Sequence, residues 1–228
     1  MAEIIASNEQ NVLEIINEYL EKNRFFSVND ILPFISSRFA KSGININING
    51  IRTILKSLVE KNFIVEGSKL TRNEILSNFN RKKIYKYIQE NPGTQFYNIV
   101  SNLDLNIPVV EWHLNILIKF MYISKEKIEN RGVYFDANVN SEDRMIIYLI
   151  SKDKCKQIID FLKENQEGIT RSQISEQLNM HSTTVTKYTD KLHESGILTK
   201  KSLPNKTLYF LNNKNYDKLS QNFNFYFV

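Results

Sequence analysis

Apolar and polar positions recur along this chain in a fixed register. Residues 93–135 align without a gap with residues 168–210. The identical pairs in this alignment are Gly93 and Gly168, Ile99 and Ile174, Leu103 and Leu178, Val110 and Val185, Leu117 and Leu192, Lys125 and Lys200, Asn130 and Asn205, Tyr134 and Tyr209, and Phe135 and Phe210. The separation of Gly93 from Gly168 is called the repeat interval below. A register shared over this length predicts that one structural unit is used twice.

The second copy has the pattern of two helices joined by a turn. Ile174 and Leu178 lie four positions apart, which places them on one face of a helix that begins at Arg171. A second helix is predicted from Ser182 to about Ser195, where Gly196 ends it. Its inward positions are Val185, Tyr188 and Leu192, and its outward positions are Ser182, Thr183, Thr186 and Lys187.

A β-hairpin is predicted directly after these helices. Residues 197–200 and 207–210 bracket a turn at Pro204 and Asn205 and are typical of two paired strands. The unit is therefore expected to be a winged helix-turn-helix. The predicted fold class is mainly α with small β-hairpin wings, built from winged helix-turn-helix domains in tandem, with two clear copies and a third, divergent copy at the N-terminus.

The divergent copy is expected in residues 1–70. Leu55, Leu58 and Ile64 match Leu114, Leu117 and Ile123 at one constant offset. Ile31 and Ile35 fit the first helix of the turn, and residues 36–50 are then a long connection. Its alternating Ile and Asn, in residues 43–50, favour a short strand or an extended loop. Little room is left for a wing. The alternative is a helical element for dimerisation or docking.

The remaining boundaries follow from these copies. The predicted segments after residue 70 are a second winged helix in 71–140, an apolar connecting helix in 141–151, a third winged helix in 152–215 and an aromatic tail in 216–228. The connecting helix, which contains Met145, is expected to pack the copies together or to form the seam of a dimer. The tail residues Phe223, Phe225 and Phe227 predict a contact with the protein itself or with a second subunit.

Several segments also resemble a known family. Residues 167–174, 184–188 and 192–198 resemble the ArsR/MarR-type winged helices of archaeal and bacterial transcription factors. Residues 81–93 and 111–114, with a second winged helix behind them, are similar to archaeal regulators that carry two such modules in tandem. The likeness covers about residues 72–212, and it implies DNA binding.

The copies differ in the outward face of the second helix of each turn. The third copy presents Ser182, Thr183, Thr186 and Lys187; the second presents Ile107, Pro108, Glu111 and Trp112; and the first presents Ile48, Asn49, Arg52 and Thr53. Hydroxyl groups and lysine bond to base edges and phosphates, whereas Ile, Pro and Trp do not suit a polar groove. The third copy is therefore the predicted DNA reader. The alternatives are that its Ser/Thr run is the polar end of a surface helix and that Trp112 packs against a neighbouring element.

Positive charge next to the predicted reading helix favours contacts with phosphate. The candidates are Lys200, Lys201, Asn205 and Lys206 on the hairpin and Arg171 at the start of the preceding helix. Residues 151–228 contain 12 Lys and Arg against 8 Asp and Glu, which is four of the five excess positive charges. The alternative is that these exposed charges are only solvated.

The sequence contains no enzyme or cofactor motif. His113, His181 and His193 have no carboxylate or cysteine at ligand spacing, the single Cys155 has no partner, and the seven glycines form no phosphate loop. His113 is expected inside its module. We therefore predict a protein without a catalytic site, metal or cofactor. The N-terminus lacks the pattern of a signal peptide and no stretch suits a membrane span, so a cytoplasmic location is expected.

Together these patterns predict a sequence-specific regulator of transcription that binds double-stranded DNA as a homodimer. A different class is also compatible with the sequence. Winged helices act as protein-interaction modules in complexes of the ESCRT-II type and in basal transcription assemblies, and the apolar face around Ile107 and Trp112 fits such a use. In that reading a protein partner binds the second winged helix.

Overall fold

The computed structural model describes residues 6–222, with side chains as far as residue 218. In chain order its elements are α1 (Ser7–Lys22), α2 (Val28–Lys41), α3 (Ile48–Glu60), a 3₁₀ turn (Arg72–Ser77), α4 (Phe79–Glu90), β1 (Thr94–Gln95), α5 (Phe96–Leu103), α6 (Ile107–Lys119), β2 (Ile123–Ile128), β3 (Arg131–Asp136), α7 (Ser141–Ile150), α8 (Asp153–Glu164), α9 (Arg171–Gln177), α10 (Ser182–Glu194), β4 (Leu198–Leu203), β5 (Lys206–Leu211) and α11 (Asn213–Asn222). The prediction of a mainly helical chain with small antiparallel β-hairpins is confirmed. Phe223, Phe225 and Phe227 lie outside the described residues.

The described chain divides into two compact units. The first contains the chain up to Tyr85 together with Leu103–Ile123, and the second contains Lys86–Asn102 together with the chain from Ser124 onward. None of the helices within residues 6–222 is long and apolar enough to cross a membrane.

Helices α1, α2 and α3 enclose the core of the first unit. The buried side chains include Val12, Ile16, Ile31, Ile35, Phe39, Ile51, Leu55 and Leu58. Beside this core, Glu9 of α1 accepts hydrogen bonds from Ser57 Oγ at 2.6 Å and from Lys61 Nζ at 2.7 Å. These bonds tie α1 to the C-terminal end of α3.

The prediction of a long connection in residues 36–50 is wrong over most of its length, and no strand forms in residues 43–50. Helix α2 continues to Lys41, because Phe39 follows Ile35 at the helical spacing of four and is buried with it. Only residues 42–47 form the connection. Asn47 then caps α3, since its side chain accepts a hydrogen bond from Gly50 N at 2.8 Å. No strand is described between residues 61 and 78.

The repeat interval is also present in the secondary structure. Helices α6 and α10 have equal lengths and begin one repeat interval apart, and the same is true of β2 and β4 and of β3 and β5. Strand β1 pairs Thr94 with Tyr134, and the equivalent bridge joins Ile169 to Tyr209. Helix α3 is as long as α6 and precedes it by the same offset that separates Leu55 from Leu114.

A glycine packs against an aromatic ring at equivalent places in the repeat. Gly93 and Gly168 have φ values of +77° and +85°, a region that favours glycine. A Cβ added to Gly168 would lie 2.4 Å from the ring of Phe210, and one added to Gly93 would lie 3.4 Å from the ring of Phe135. The positive φ therefore favours glycine at both positions, and at Gly168 the ring of Phe210 also leaves no room for a Cβ.

Helix α7 links two apolar clusters of the second unit. Ile147 and Tyr148 are buried with residues of the β2–β3 hairpin, including Val133 and Phe135. Leu149 and Ile150 are buried in the C-terminal core, whose other members include Cys155, Ile158, Ile174, Val185, Leu192 and Tyr209. The connecting helix thus packs the hairpin onto the C-terminal core, and Met145, one turn before Tyr148 and Leu149, is 47% exposed.

Candidate nucleic-acid interface

Helices α9 and α10 form a helix-turn-helix over a tightly packed core. Ile174 of α9 packs with Val185 and Leu192 of α10, and all three are fully buried. The turn between the helices passes through Asn179, which has a positive φ of 47°. Thr170 and Gln173 form a capping box that fixes the start of α9.

The predicted reading face of α10 is open to solvent. Ser182, Thr183, Thr186 and Lys187 are all exposed, while the inward Val185 is fully buried. The outward positions of this helix were therefore predicted correctly from its period. These exposed residues lie in the first two turns of α10, and their side chains are tilted towards its N-terminal end.

His181 is a residue of this surface that the sequence analysis missed. It precedes α10 and caps it, since its Nδ1 accepts a hydrogen bond from Thr183 N at 3.4 Å and lies 2.8 Å from Thr183 Oγ1. No sequence signal indicates this role, because the residues that commonly cap helices are Ser, Thr, Asp, Asn and Gly, not histidine.

Arg171 is held by α10 and the wing of its own module. Its Nε donates to Thr189 Oγ1 at 2.8 Å, its guanidinium forms an ion pair with Asp190, and it stacks over the ring of Tyr209 at 4.9 Å. The side chain is 31% exposed. A contact between Arg171 and phosphate would therefore have to share the guanidinium with these partners.

The β4–β5 hairpin carries the predicted wing charges. The two strands pair from Leu198 opposite Leu211 to Leu203 opposite Lys206, with a two-residue turn at Pro204 and Asn205. The predicted wing residues Lys200, Lys201, Asn205 and Lys206 are all exposed. Since side chains alternate along a strand, this register places Lys201 and Lys206 on one face and Lys200 on the other. Within residues 6–222, no acidic side chain pairs with these lysines.

The outward face of α6 has a different chemistry. Ile107 and Trp112 are 49% and 56% exposed. Arg81 lies over the Trp112 ring at 5.5 Å and donates to Ile75 O at 2.8 Å. His113 is buried, as expected, and its pKa is lowered by burial and by the charge of Arg81. The face thus offers an aromatic ring and an aliphatic side chain to solvent.

Glu129 forms a network that no sequence pattern indicated. It lies in the tight turn between β2 and β3, where Glu129 and Asn130 have φ values of 50° and 63°. Its carboxylate forms ion pairs with Lys152 and Lys191 and accepts a hydrogen bond from Tyr148 Oη at 3.1 Å. The bonds from Lys152 and Lys191 lower the pKa of Glu129 to about 2. The network joins the hairpin turn to α10.

The described residues contain no constellation for metal or thiol chemistry. No group of three His, Cys, Asp or Glu side chains is placed to hold a metal within residues 6–222. Cys155 is fully buried, and burial raises the pKa of its thiol to about 12. It is therefore a core residue whose reactive thiolate form is strongly disfavoured.

Comparison with known proteins identifies the same module. Residues 154–203, which run from α8 to the end of β4, match the family model described as an HTH domain. The chain is also 31% identical over 143 residues, 63% of its length, to an uncharacterized HTH-type transcriptional regulator of Methanocaldococcus jannaschii. The aligned part covers 36% of that relative, so the chain spans about a third of the length of the curated protein that it matches.

Proposed function

We propose that this protein is a sequence-specific regulator of transcription that binds double-stranded DNA with its C-terminal winged helix. The observation that carries the proposal is the exposed face of α10, with Ser182, Thr183, Thr186 and Lys187, beside a hairpin whose lysines have no acidic partner in the described chain. The HTH match over residues 154–203 supports the same assignment. The proposal includes tandem winged helices, a dimer and action in the cytoplasm.

The exposed face of α10 and the β4–β5 hairpin supply different parts of the proposed interaction with DNA. Thr186 and its neighbouring hydroxyl groups suit base edges in a major groove, where a good contact discriminates by about 1–3 kcal/mol. Lys187 and the wing lysines suit phosphate oxygens, which position the protein without reading sequence. Lys201 and Lys206 share a face of the hairpin and are the best pair for neighbouring phosphates.

A second candidate function is supported by the surface of α6. The exposed side chains of Ile107 and Trp112 occupy the positions that Ser182 and Lys187 occupy in α10. This face suits an apolar protein surface better than a nucleic acid, which favours a protein-interaction role for the second winged helix. The two functions are compatible, because they use different helices.

The test of the proposal is selection from a random library of duplex DNA, with sequencing of the bound fraction. We expect an enriched motif. The affinity for that motif should fall with a slope of about −4 to −5 in log K against log salt if four to six phosphates are neutralised. The variant Lys201→Ala/Lys206→Ala should make the slope shallower by about 2.

The control for this test is Lys22→Ala/Lys41→Ala, which removes two exposed lysines from α1 and α2. Its salt slope should equal that of the wild type. A library from which no motif is enriched at low salt would contradict sequence-specific binding. Equal slopes for the wing variant and the wild type would contradict the role of the wing.

A further inference from the structure

An open cationic cleft of about 900 Å³ lies within the second unit, between the β2–β3 turn and α10. Its charged lining consists of Arg131, Lys152, Lys154, Lys187 and Lys191 with the carboxylates of Glu129 and Asp153. These groups leave three positive charges in excess. The volume is in the range of sites that bind small molecules.

Three donors from different elements converge on one point of this cleft. Tyr148 of α7, Lys152 at the N-terminal cap of α8 and Lys191 of α10 all bind the carboxylate of Glu129. The low pKa of Glu129 keeps that carboxylate ionised at neutral pH. The three donors therefore surround an oxyanion. In this structure that oxyanion is the carboxylate of Glu129, in the turn between β2 and β3.

The cleft is accessible and is not neutralised by this carboxylate. The side chains of Lys152 and Lys191 are 21% and 30% exposed, so an outside anion can reach them. Arg131, Lys154 and Lys187 are exposed, and none of them forms an ion pair with the part of the chain that the structure describes. An anion with two or more charges would gain from these cations as well as from the three donors.

We propose that Tyr148, Lys152 and Lys191 form a binding site for a phosphate group, and that Glu129 is the internal competitor that a phosphate displaces. The phosphate belongs either to a free small molecule or to DNA bound along α10. The second source rests on the proposed DNA-binding function, whereas the first does not.

The first test is calorimetric titration of the full chain with pyrophosphate in the absence of DNA. Glu129→Gln removes the competing charge but keeps the size of the side chain, so we expect pyrophosphate to bind at least about tenfold more tightly than to the wild type. Adding Lys152→Ala to Glu129→Gln should abolish that gain. Lys214→Ala, which removes an exposed lysine of the same unit outside the cleft, should leave binding to the Glu129→Gln protein unchanged.

Two results would overturn the site. One is pyrophosphate binding that Glu129→Gln does not strengthen. The other is equal weakening by Lys152→Ala and Lys214→Ala, since that would mean attraction to the whole basic surface. If thermal melting shows that Glu129→Gln does not fold, Glu129→Asp replaces it. The shorter side chain keeps its charge but reaches the three donors less well, so tighter pyrophosphate binding is again expected. Binding that is not tighter overturns the site.

A second arm identifies the source of the phosphate. If DNA supplies it, Lys152→Ala weakens DNA binding and pyrophosphate competes with DNA. If a free molecule supplies it, Lys152→Ala leaves DNA affinity unchanged and weakens pyrophosphate binding alone. Pyrophosphate binding that persists in a protein with no affinity for any DNA would contradict the proposed function and leave the phosphate site intact.

Discussion

The carboxylate of Glu9 gives the first unit a pH-dependent part of its stability. It accepts hydrogen bonds from Lys61 Nζ, Ser57 Oγ and the backbone N–H of Ala6, at distances between 2.6 and 3.0 Å. These bonds, the one from Lys61 above all, lower the pKa of Glu9 from 4.5 to about 2. Because the folded pKa is the lower one, this stabilisation is present above about pH 5 and is lost as the pH falls towards 2.

We therefore predict that Glu9→Gln lowers the free energy of unfolding at pH 7 by on the order of 1–2 kcal/mol, after allowance for solvent screening. The difference from the wild type should shrink as the pH falls below about 5 and be smallest at pH 2. Urea denaturation between pH 2 and pH 7 measures it. Glu21→Gln, at an exposed position of the same helix, is the control and should follow the wild type. Parallel pH profiles for Glu9→Gln and the wild type would refute the role of Glu9.

For single residues, the sequence predicts exposure on a helix but does not predict the partners in tertiary contacts. The exposure of Thr186 and Lys187 was predicted because the helical period decides which side chains face the core. The partners of Arg171 and Glu129 were not predicted. Their contacts join residues 18 to 62 positions apart, so they depend on tertiary packing that no local pattern encodes.

At the scale of elements, α6 and α10 are equal in length and place in the repeat but differ in surface. The face of α6 exposes Ile107 and Trp112, whereas that of α10 exposes Thr186 and Lys187. A helix that reads DNA needs polar and charged side chains on its exposed face, whereas a helix that binds an apolar partner needs apolar ones. The divergence favours a division of roles between the two copies.

Replacement of Trp112 separates these roles. Trp112→Ala removes an exposed ring and its contact with Arg81, so we expect a loss of stability of about 0.5–1 kcal/mol and a loss of self-association or partner capture. DNA affinity should be unchanged. Asn115→Ala, at another exposed position of α6, is the control for thermal melting and for DNA titration. Loss of DNA binding by Trp112→Ala with an unchanged melting curve would make α6 the reader.

Helices and strands can be predicted where the hydrophobic pattern extends over many residues, and the prediction is wrong where the pattern is short. The pairs α6 and α10, β2 and β4, and β3 and β5 follow from a pattern that occurs twice, and their observed bounds keep the repeat interval. In residues 43–50 the alternating Ile and Asn favour extended structure, within a connection expected over residues 36–50. The burial of Phe39 extends α2 instead, and the capping by Asn47 begins α3 earlier than expected.

At the scale of the whole molecule, the positive charge available for DNA is smaller than the sequence suggests. Residues 151–228 hold four of the five excess charges. However, Lys152 and Lys191 are bound by Glu129, and Arg171 is bound by Asp190. Lys152 and Lys191 can meet phosphate only when Glu129 is displaced, whereas Lys187 and the lysines of the wing have no acidic partner in the described chain. The electrostatic attraction should therefore be concentrated beside α10.

The proposed dimer predicts a two-fold operator. Two reading helices related by symmetry would contact half-sites about 34–36 Å apart, and Met145, 47% exposed on α7, is a candidate for the interface. Sedimentation equilibrium at micromolar concentration should give twice the monomer mass, and Met145→Lys should shift the mass towards the monomer. A wild-type protein that sediments as a monomer would contradict the dimer.

If α10 of the C-terminal winged helix reads the DNA, its exposed side chains determine the DNA affinity, and a comparison of two double variants measures their contribution. Thr186→Ala/Lys187→Ala removes a base contact and a phosphate contact from α10. The matched variant Arg52→Ala/Thr53→Ala removes a hydroxyl and a charge from the equivalent exposed positions of α3. Each is titrated against the selected duplex by fluorescence anisotropy, with a melting curve as the check on folding.

The Thr186→Ala/Lys187→Ala protein should melt like the wild type and lose about 1–3 kcal/mol of specific DNA affinity through the missing base contact. The Arg52→Ala/Thr53→Ala protein should bind the duplex like the wild type. The opposite result, with full affinity in the α10 variant and lost affinity in the α3 variant, would contradict the assignment of the C-terminal winged helix as the reader.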